Sequence, residues 1–255
     1  MSELGRRFPF LRWSVWRMVF GARSLLTNWQ VGDGREEALA RHVAASARAG
    51  DLDDAIRAVD EFCYRHAWMM NVGDEKGAIL DRAIARAKPH RLLELGTYCG
   101  YSALRTARAM PRDAHLISIE FSAANAAIAR RIWDHAGVAD RVTVVVGTLG
   151  DGGATIARLE SEHGFAPGSL DFVFIDHDKA AYLSDLERIL ARGWLHRGSI
   201  VVADNVKVPG APKYRAYMKA NEGSTWRTAE HRAHVEYQTL VEDLVLESEY
   251  LGPTA

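Results

Sequence analysis

Cysteine is scarce in this chain. Only Cys63 and Cys99 occur in 255 residues, too few for a disulfide framework or a thiolate zinc site, so a reducing compartment, the cytoplasm, is expected. Net charge is nearly absent as well: a formal charge of −1 supplies no global field toward nucleic acid or a strongly acidic partner. No stretch approaches the roughly 20 uncharged apolar residues of a membrane span, and no internal repeat or low-complexity segment is found. What remains, 48% apolar and 25% charged residues, is the composition of a globular protein. The length suits one α/β domain with an extra segment.

That extra segment is the N-terminus. Residues 8–29 hold Trp13, Trp16, Trp29, Phe8, Phe10 and Phe20, interrupted by Arg12, Arg17 and Arg23. The arginines break any spanning reading, and no small-residue cleavage site follows a clean apolar stretch, so a signal peptide is not expected. Two readings stand for residues 8–29: an interfacial helix with aromatics among lipid headgroups, or a helix whose tryptophans pack on the domain or on a second subunit. Packing is the favoured one. Residues 1–35 are read as a basic aromatic appendage and 36–255 as a single domain.

Amphipathic patterns predict helices over 36–49 and 53–65, and a third from Asp74, as its cap, to about residue 88, stopped by Pro89. From residue 91 onward, short apolar runs alternate with helical patterns. Strands are predicted at 91–96, 115–120, 142–146, 170–175 and 199–203, with helices at 101–110, 122–136, 180–191 and 213–221. Segments 226–230 and 236–247 read as a closing hairpin. This alternation implies right-handed βαβ crossovers and a doubly wound, mostly parallel α/β sheet.

Two clusters of polar residues sit at predicted strand ends, where open α/β sheets bind ligands. The first is Glu94-x-Gly96-x-x-x-Gly100, a strand-to-helix turn whose glycines admit a ligand close to the backbone. Tyr98 and Cys99 fill its centre, which disfavours a pyrophosphate and hence NAD. Glu94 suits the cationic methionine portion of S-adenosylmethionine. Glu120, at the end of the second strand, is placed to accept ribose hydroxyls. The second cluster joins Asp176-His177-Asp178-Lys179 to Asp204-Asn205. Two carboxylates and a carboxamide form a hard oxygen half-shell suited to Mg²⁺, and Lys179 beside it is a candidate general base.

These segments resemble the catechol O-methyltransferase family. The resemblance is carried by Trp68-Met69-Met70-Asn71-Val72-Gly73-Asp74-Glu75-Lys76-Gly77, by Leu93-Glu94-Leu95-Gly96-Thr97-Tyr98-Cys99-Gly100-Tyr101-Ser102, by Asp176-His177-x-Lys179 with Ala203-Asp204-Asn205 and Val208-Pro209-Gly210, and by Val235-Glu236-Tyr237. It covers about residues 35–255. It implies a Rossmann-like methyltransferase with a seven-stranded sheet, helices on both faces and the closing antiparallel hairpin. It further implies S-adenosylmethionine as methyl donor, Mg²⁺ held by Asp176, Asp204 and Asn205, and a small-molecule catechol as substrate. Lys179 would take the proton of the attacking hydroxyl, and Glu236 would hydrogen-bond the second one. Trp68 and Pro209 would grip the ring, with Met70 near the transferring methyl. Val72, Glu94, Gly96, Tyr98 and Ser102 would hold the methionine end, Glu120 the ribose, and His177 would lie by the adenine. Asp178 and Leu149 depart from the pattern. Asp178 stands where mammalian catechol enzymes carry a tryptophan, and Leu149 where a serine commonly contacts adenine. Both bear on substrate identity more than on reaction type.

Overall fold

The structure, a computed structural model, describes residues 33–253; the aromatic segment 8–29 lies outside them. The described residues open with three helices, α1 (Arg35–Ser46), α2 (Leu52–Arg65) and α3 (Gly73–Ala87). It then alternates through β1 (Arg91–Leu95), α4 (Tyr101–Ala109), β2 (His115–Glu120), α5 (Ala123–Ala136), β3 (Val142–Val146), α6 (Ala154–His163), β4 (Leu170–Ile175), α7 (Tyr182–Ala191) and β5 (Leu195–Ala203). A short π-helical turn, Val206–Gly210, leads to α8 (Pro212–Ala220) and the strands β6 (Trp226–His234) and β7 (Glu242–Tyr250).

The seven strands form one sheet in the order β3-β2-β1-β4-β5-β7-β6. The first five are mutually parallel, and β7 runs antiparallel to both β5 and β6. Alternation along the strands divides the core in two. Leu92, Phe172, Phe174 and Val202 face α1 to α5. Leu93, Leu95, Val173, Ile175 and Val201 face α6, α7 and α8. Strands covered on both faces read as continuous apolar runs, which is why they are visible in the sequence. Among the described residues no helix is long and apolar enough to cross a membrane.

Three local expectations are corrected. Asp74 does not cap α3. The helix begins at Gly73, whose N–H is taken by the Asn71 side chain at 3.1 Å, and Asp74 instead accepts from the Tyr64 hydroxyl at 2.6 Å. Helix α6 has no counterpart in the sequence reading. It follows the run Gly150-Asp151-Gly152-Gly153, and the Asp151 carboxylate accepts from Thr155 N at 3.1 Å and Oγ1 at 2.6 Å to start it. Glu236 is not in a strand, because the chain turns at 235–241 before β7 begins. The Gln238 side chain builds that turn, accepting from the N–H groups of Leu240 (2.6 Å) and Val241 (2.8 Å) and donating to the carbonyls of Val235 (2.8 Å) and Val241 (3.0 Å).

Candidate active site

The strand order reverses between β1 and β4, whose carboxyl ends lie side by side. They approach so closely that a Cβ on Gly96 (φ +101°) would stand 2.2 Å from the Asp176 carbonyl oxygen. Only glycine fits there, and this contact makes the β1 turn and the β4 end one rigid floor. The turn is tied to β2 as well. Thr97 Oγ1 meets Ser118 Oγ at 2.5 Å, and Tyr98 N donates to Glu120 Oε2 at 2.8 Å. Ser122 N donates to the other Glu120 oxygen at 2.9 Å. Burial raises the Glu120 carboxyl, although these backbone donors work against it.

Glu94 lies one layer deeper. It is fully buried, with one carboxylate oxygen held by Ser102 and the other by Ser118. Burial pushes its carboxyl up to about 7, against the two serine hydroxyls. Glu94 and Ser102 therefore brace the turn from beneath rather than line the cleft, and Val72 is likewise buried away from the cavity wall.

At the other end of the cleft, Lys179 Nζ donates to Asp176 Oδ1 at 2.8 Å and to the Tyr182 hydroxyl at 2.6 Å, and Tyr182 donates onward to the Asp204 carbonyl at 3.0 Å. Tyr182 thus spaces the base candidate from the β5 end. His177 stacks on Tyr182 at 5.2 Å between ring centroids, and its Nε2 pairs with Asp185 at 2.8 Å, which Arg188 holds in turn at 2.6 Å.

Beside these sits a buried group that the sequence reading misses. Lys76, on α3, is fully buried and donates to Glu236 Oε1 at 2.5 Å and Asp243 Oδ2 at 3.1 Å, with Asp204 Oδ2 at 2.9 Å. Burial alone would lower its pKa, but the carboxylates of Asp204, Glu236, Asp176 and Asp243 raise it, so it is a fixed cation. Asp204 is pushed up to about 7 by burial; Lys76 opposes this, while Asp176 and Glu236 add to it. Lys76 falls within the run from Trp68 to Gly77 that carries the family resemblance, yet one lysine at a helix start is indistinguishable from a solvated one. Asp243 lies in a strand and carries no sequence signal at all.

One cavity of about 620 Å³ joins the two ends. Of the residues predicted from the sequence, Trp68, Met70, Gly96, Tyr98, Glu120, Asp176, His177, Lys179, Asn205, Pro209 and Glu236 line it. Asp204 lies just behind, fully buried. Trp68 Nε1 donates to the Glu236 carbonyl at 3.1 Å, so the aromatic wall and the 235–241 turn move together. Phe121, 42% exposed, and Asp178, exposed, complete the rim.

The donor chemistry fits a hard divalent cation. Asp204 Oδ2 is fully buried and meets the Lys76 ammonium at 2.9 Å as an ion pair without an aligned hydrogen bond, and the Asn205 amide nitrogen is engaged elsewhere, which leaves its oxygen available. Asp176, Asp204 and Asn205 offer only oxygens. Among the described residues no three His, Cys, Asp or Glu side chains stand together as a metal site; the set depends on the carboxamide of Asn205.

A seven-stranded sheet of this order, with a glycine turn, an acid at the end of β2 and an acid–lysine cluster at its switch point, defines the class of Rossmann-like methyltransferases. The family model described as O-methyltransferase matches residues 46–219. The chain is 62% identical to a probable O-methyltransferase of Mycobacterium tuberculosis, over 92% of this chain and all of that one. It is 37% identical to the catechol O-methyltransferase of Mus musculus, over 89% of this chain and 82% of that one. Among solved structures, an O-methyltransferase of Streptomyces achromogenes involved in tomaymycin synthesis, in complex with S-adenosylmethionine, superposes with TM-score 0.61 at 25% identity, over 79% of this chain and 89% of that one. The chain belongs to the S-adenosylmethionine-dependent O-methyltransferase family that includes the catechol O-methyltransferases.

Proposed function

We propose that the protein transfers the methyl group of S-adenosylmethionine to one hydroxyl of a catechol, with Mg²⁺ at Asp176, Asp204 and Asn205. The observation that carries this reading is the meeting of Lys179, Asp176, Asn205 and Glu236 in one cavity that Gly96 and Glu120 also line. Such a cavity offers separate partners for two adjacent hydroxyls. A bound divalent cation lowers the pKa of a coordinated hydroxyl. Lys179 receives the proton of the attacking hydroxyl at Nζ. Glu236 accepts a hydrogen bond from the neighbouring hydroxyl and so orients the ring, which Trp68 and Pro209 enclose. The phenolic oxygen forms a bond to the methyl carbon while the sulfonium sulfur leaves with the bonding pair, giving a methoxyphenol and S-adenosylhomocysteine. Because this is an in-line displacement, catalysis rests on positioning and charge.

The test compares catechol, resorcinol and phenol as acceptors. Methylation of catechol alone supports the reading; equal rates for all three would refute a role for paired hydroxyls. Asp178 favours a second reading. An exposed acid at the mouth, in place of an aromatic lid, suits larger vicinal diphenols such as caffeoyl esters or flavonoids, and a panel graded by size separates the two.

A further inference from the structure

We infer that Asp243, with Lys76 as its counter-ion, orients Asn205 so that the carboxamide presents oxygen rather than nitrogen to the cation site. The inference rests on the metal reading above. A carboxamide is nearly symmetrical in shape, but only its oxygen can ligate a hard cation. Asn205 sits in a left-handed turn (φ +53°) with its side chain buried. Its two N–H donors meet two carboxylates, Asp243 Oδ2 at 2.8 Å and Glu236 Oε1 at 3.1 Å. Flipping the amide would set its carbonyl oxygen against both carboxylates, so the pair of acceptors dictates the orientation.

Asp243 is itself immobilised. It is fully buried, and its Oδ1 accepts the N–H groups of Val208 (2.9 Å), Leu244 (2.8 Å) and Lys207 (3.3 Å), while Lys76 holds Oδ2. The same carboxylate thereby ties down the turn that carries Pro209. Lys76 bonds both acceptors and contacts Asp204, so its protons are spent within the cluster. It serves as a positioning residue and not as a second base. Loss of a residue that orients a metal ligand in this way commonly costs about 10- to 100-fold in metal affinity.

The test uses Mn²⁺ as a spectroscopic substitute for Mg²⁺ on the full-length protein without substrate, with S-adenosylhomocysteine binding followed separately by calorimetry. Asp243→Asn should weaken Mn²⁺ binding by about 10- to 100-fold, and S-adenosylhomocysteine binding by less than about threefold. Asn205→Asp alone sets a third carboxylate against those of Asp243 and Glu236 and should also bind Mn²⁺ poorly. The combined swap, Asn205→Asp with Asp243→Asn, sets a donor in place of one of the two opposing carboxylates, leaves Glu236 as the other, and should recover part of the affinity. Unchanged Mn²⁺ affinity in Asp243→Asn would overturn the inference. So would a parallel loss of both ligands that the swap does not rescue, because Asp243 would then merely hold the fold. If the wild-type protein binds no Mn²⁺, the metal reading fails and this inference fails with it.

Discussion

Lys179 is the proposed general base, and its surroundings decide how a substitution there reads out. Among the described residues its amine bonds Asp176 and Tyr182, neither of which belongs to the β1 turn. Lys179→Ala should therefore lower kcat by about 10²- to 10⁴-fold, the usual contribution of a general base. S-adenosylhomocysteine affinity should stay within a few-fold, which calorimetry checks. Glu94 behaves differently, because its carboxyl is raised from 4.5 to about 7 by burial. An acid whose folded pKa is raised favours the fold most below the unfolded pKa. The penalty grows as pH climbs from about 4.5 and is complete above about 7. Glu94→Gln should remove that slope, a difference of about 2–3 kcal/mol between pH 4.5 and 7.5 in urea-denaturation free energies. Equal slopes in the two proteins would show that Glu94 does not carry the shift.

At the scale of elements, two turns set the site. The β1 turn depends on Gly96, where added Cβ bulk meets backbone and not a yielding side chain. Gly96→Ala should cost about 3 kcal/mol or more of stability and abolish binding of the methyl donor, measurable by thermal denaturation and calorimetry together. The 235–241 turn depends on Gln238, whose four hydrogen bonds close it. Gln238→Ala should loosen Glu236 and raise KM for the proposed catechol acceptor while leaving affinity for S-adenosylmethionine nearly unchanged. Equal losses for both substrates would mean that the turn supports the whole domain instead. The two turns also differ in how far the sequence reveals them. Gly96 lies in a local motif between a strand pattern and a helix pattern, so its place is legible from spacing alone. Glu236 lies in a run whose alternation imitates a strand through Glu247, and the left-handed backbone at Tyr237 (φ +54°) and the side chain of Gln238 interrupt it. Helix α6 escapes for a related reason, since the glycines before it read as loop and its few buried residues, Thr155, Ile156 and Leu159, make a weak stripe.

For the molecule as a whole, the parallel strands with their two-sided burial make the sheet order accessible to topology rules. The metal and base candidates are accessible because they stand at strand ends. What topology rules cannot supply is convergence across distant elements. Lys76 on α3 and Asp243 on β7 meet Asn205 only because the sheet brings β5 and β7 together and α3 packs over the junction. Each is an ordinary charged residue in its own segment. The shared cavity turns these separate ends into one site, and a single assay tests whether it works as one. The measurement is methyl transfer from S-adenosylmethionine to catechol by the full-length protein, with the metal removed by EDTA and then restored as Mg²⁺. The expected result is formation of the methoxyphenol, its loss on chelation and its return with Mg²⁺. Turnover that persists through chelation would contradict the role given to Asp176, Asp204 and Asn205, and no turnover of catechol under any metal condition would contradict the proposed function itself.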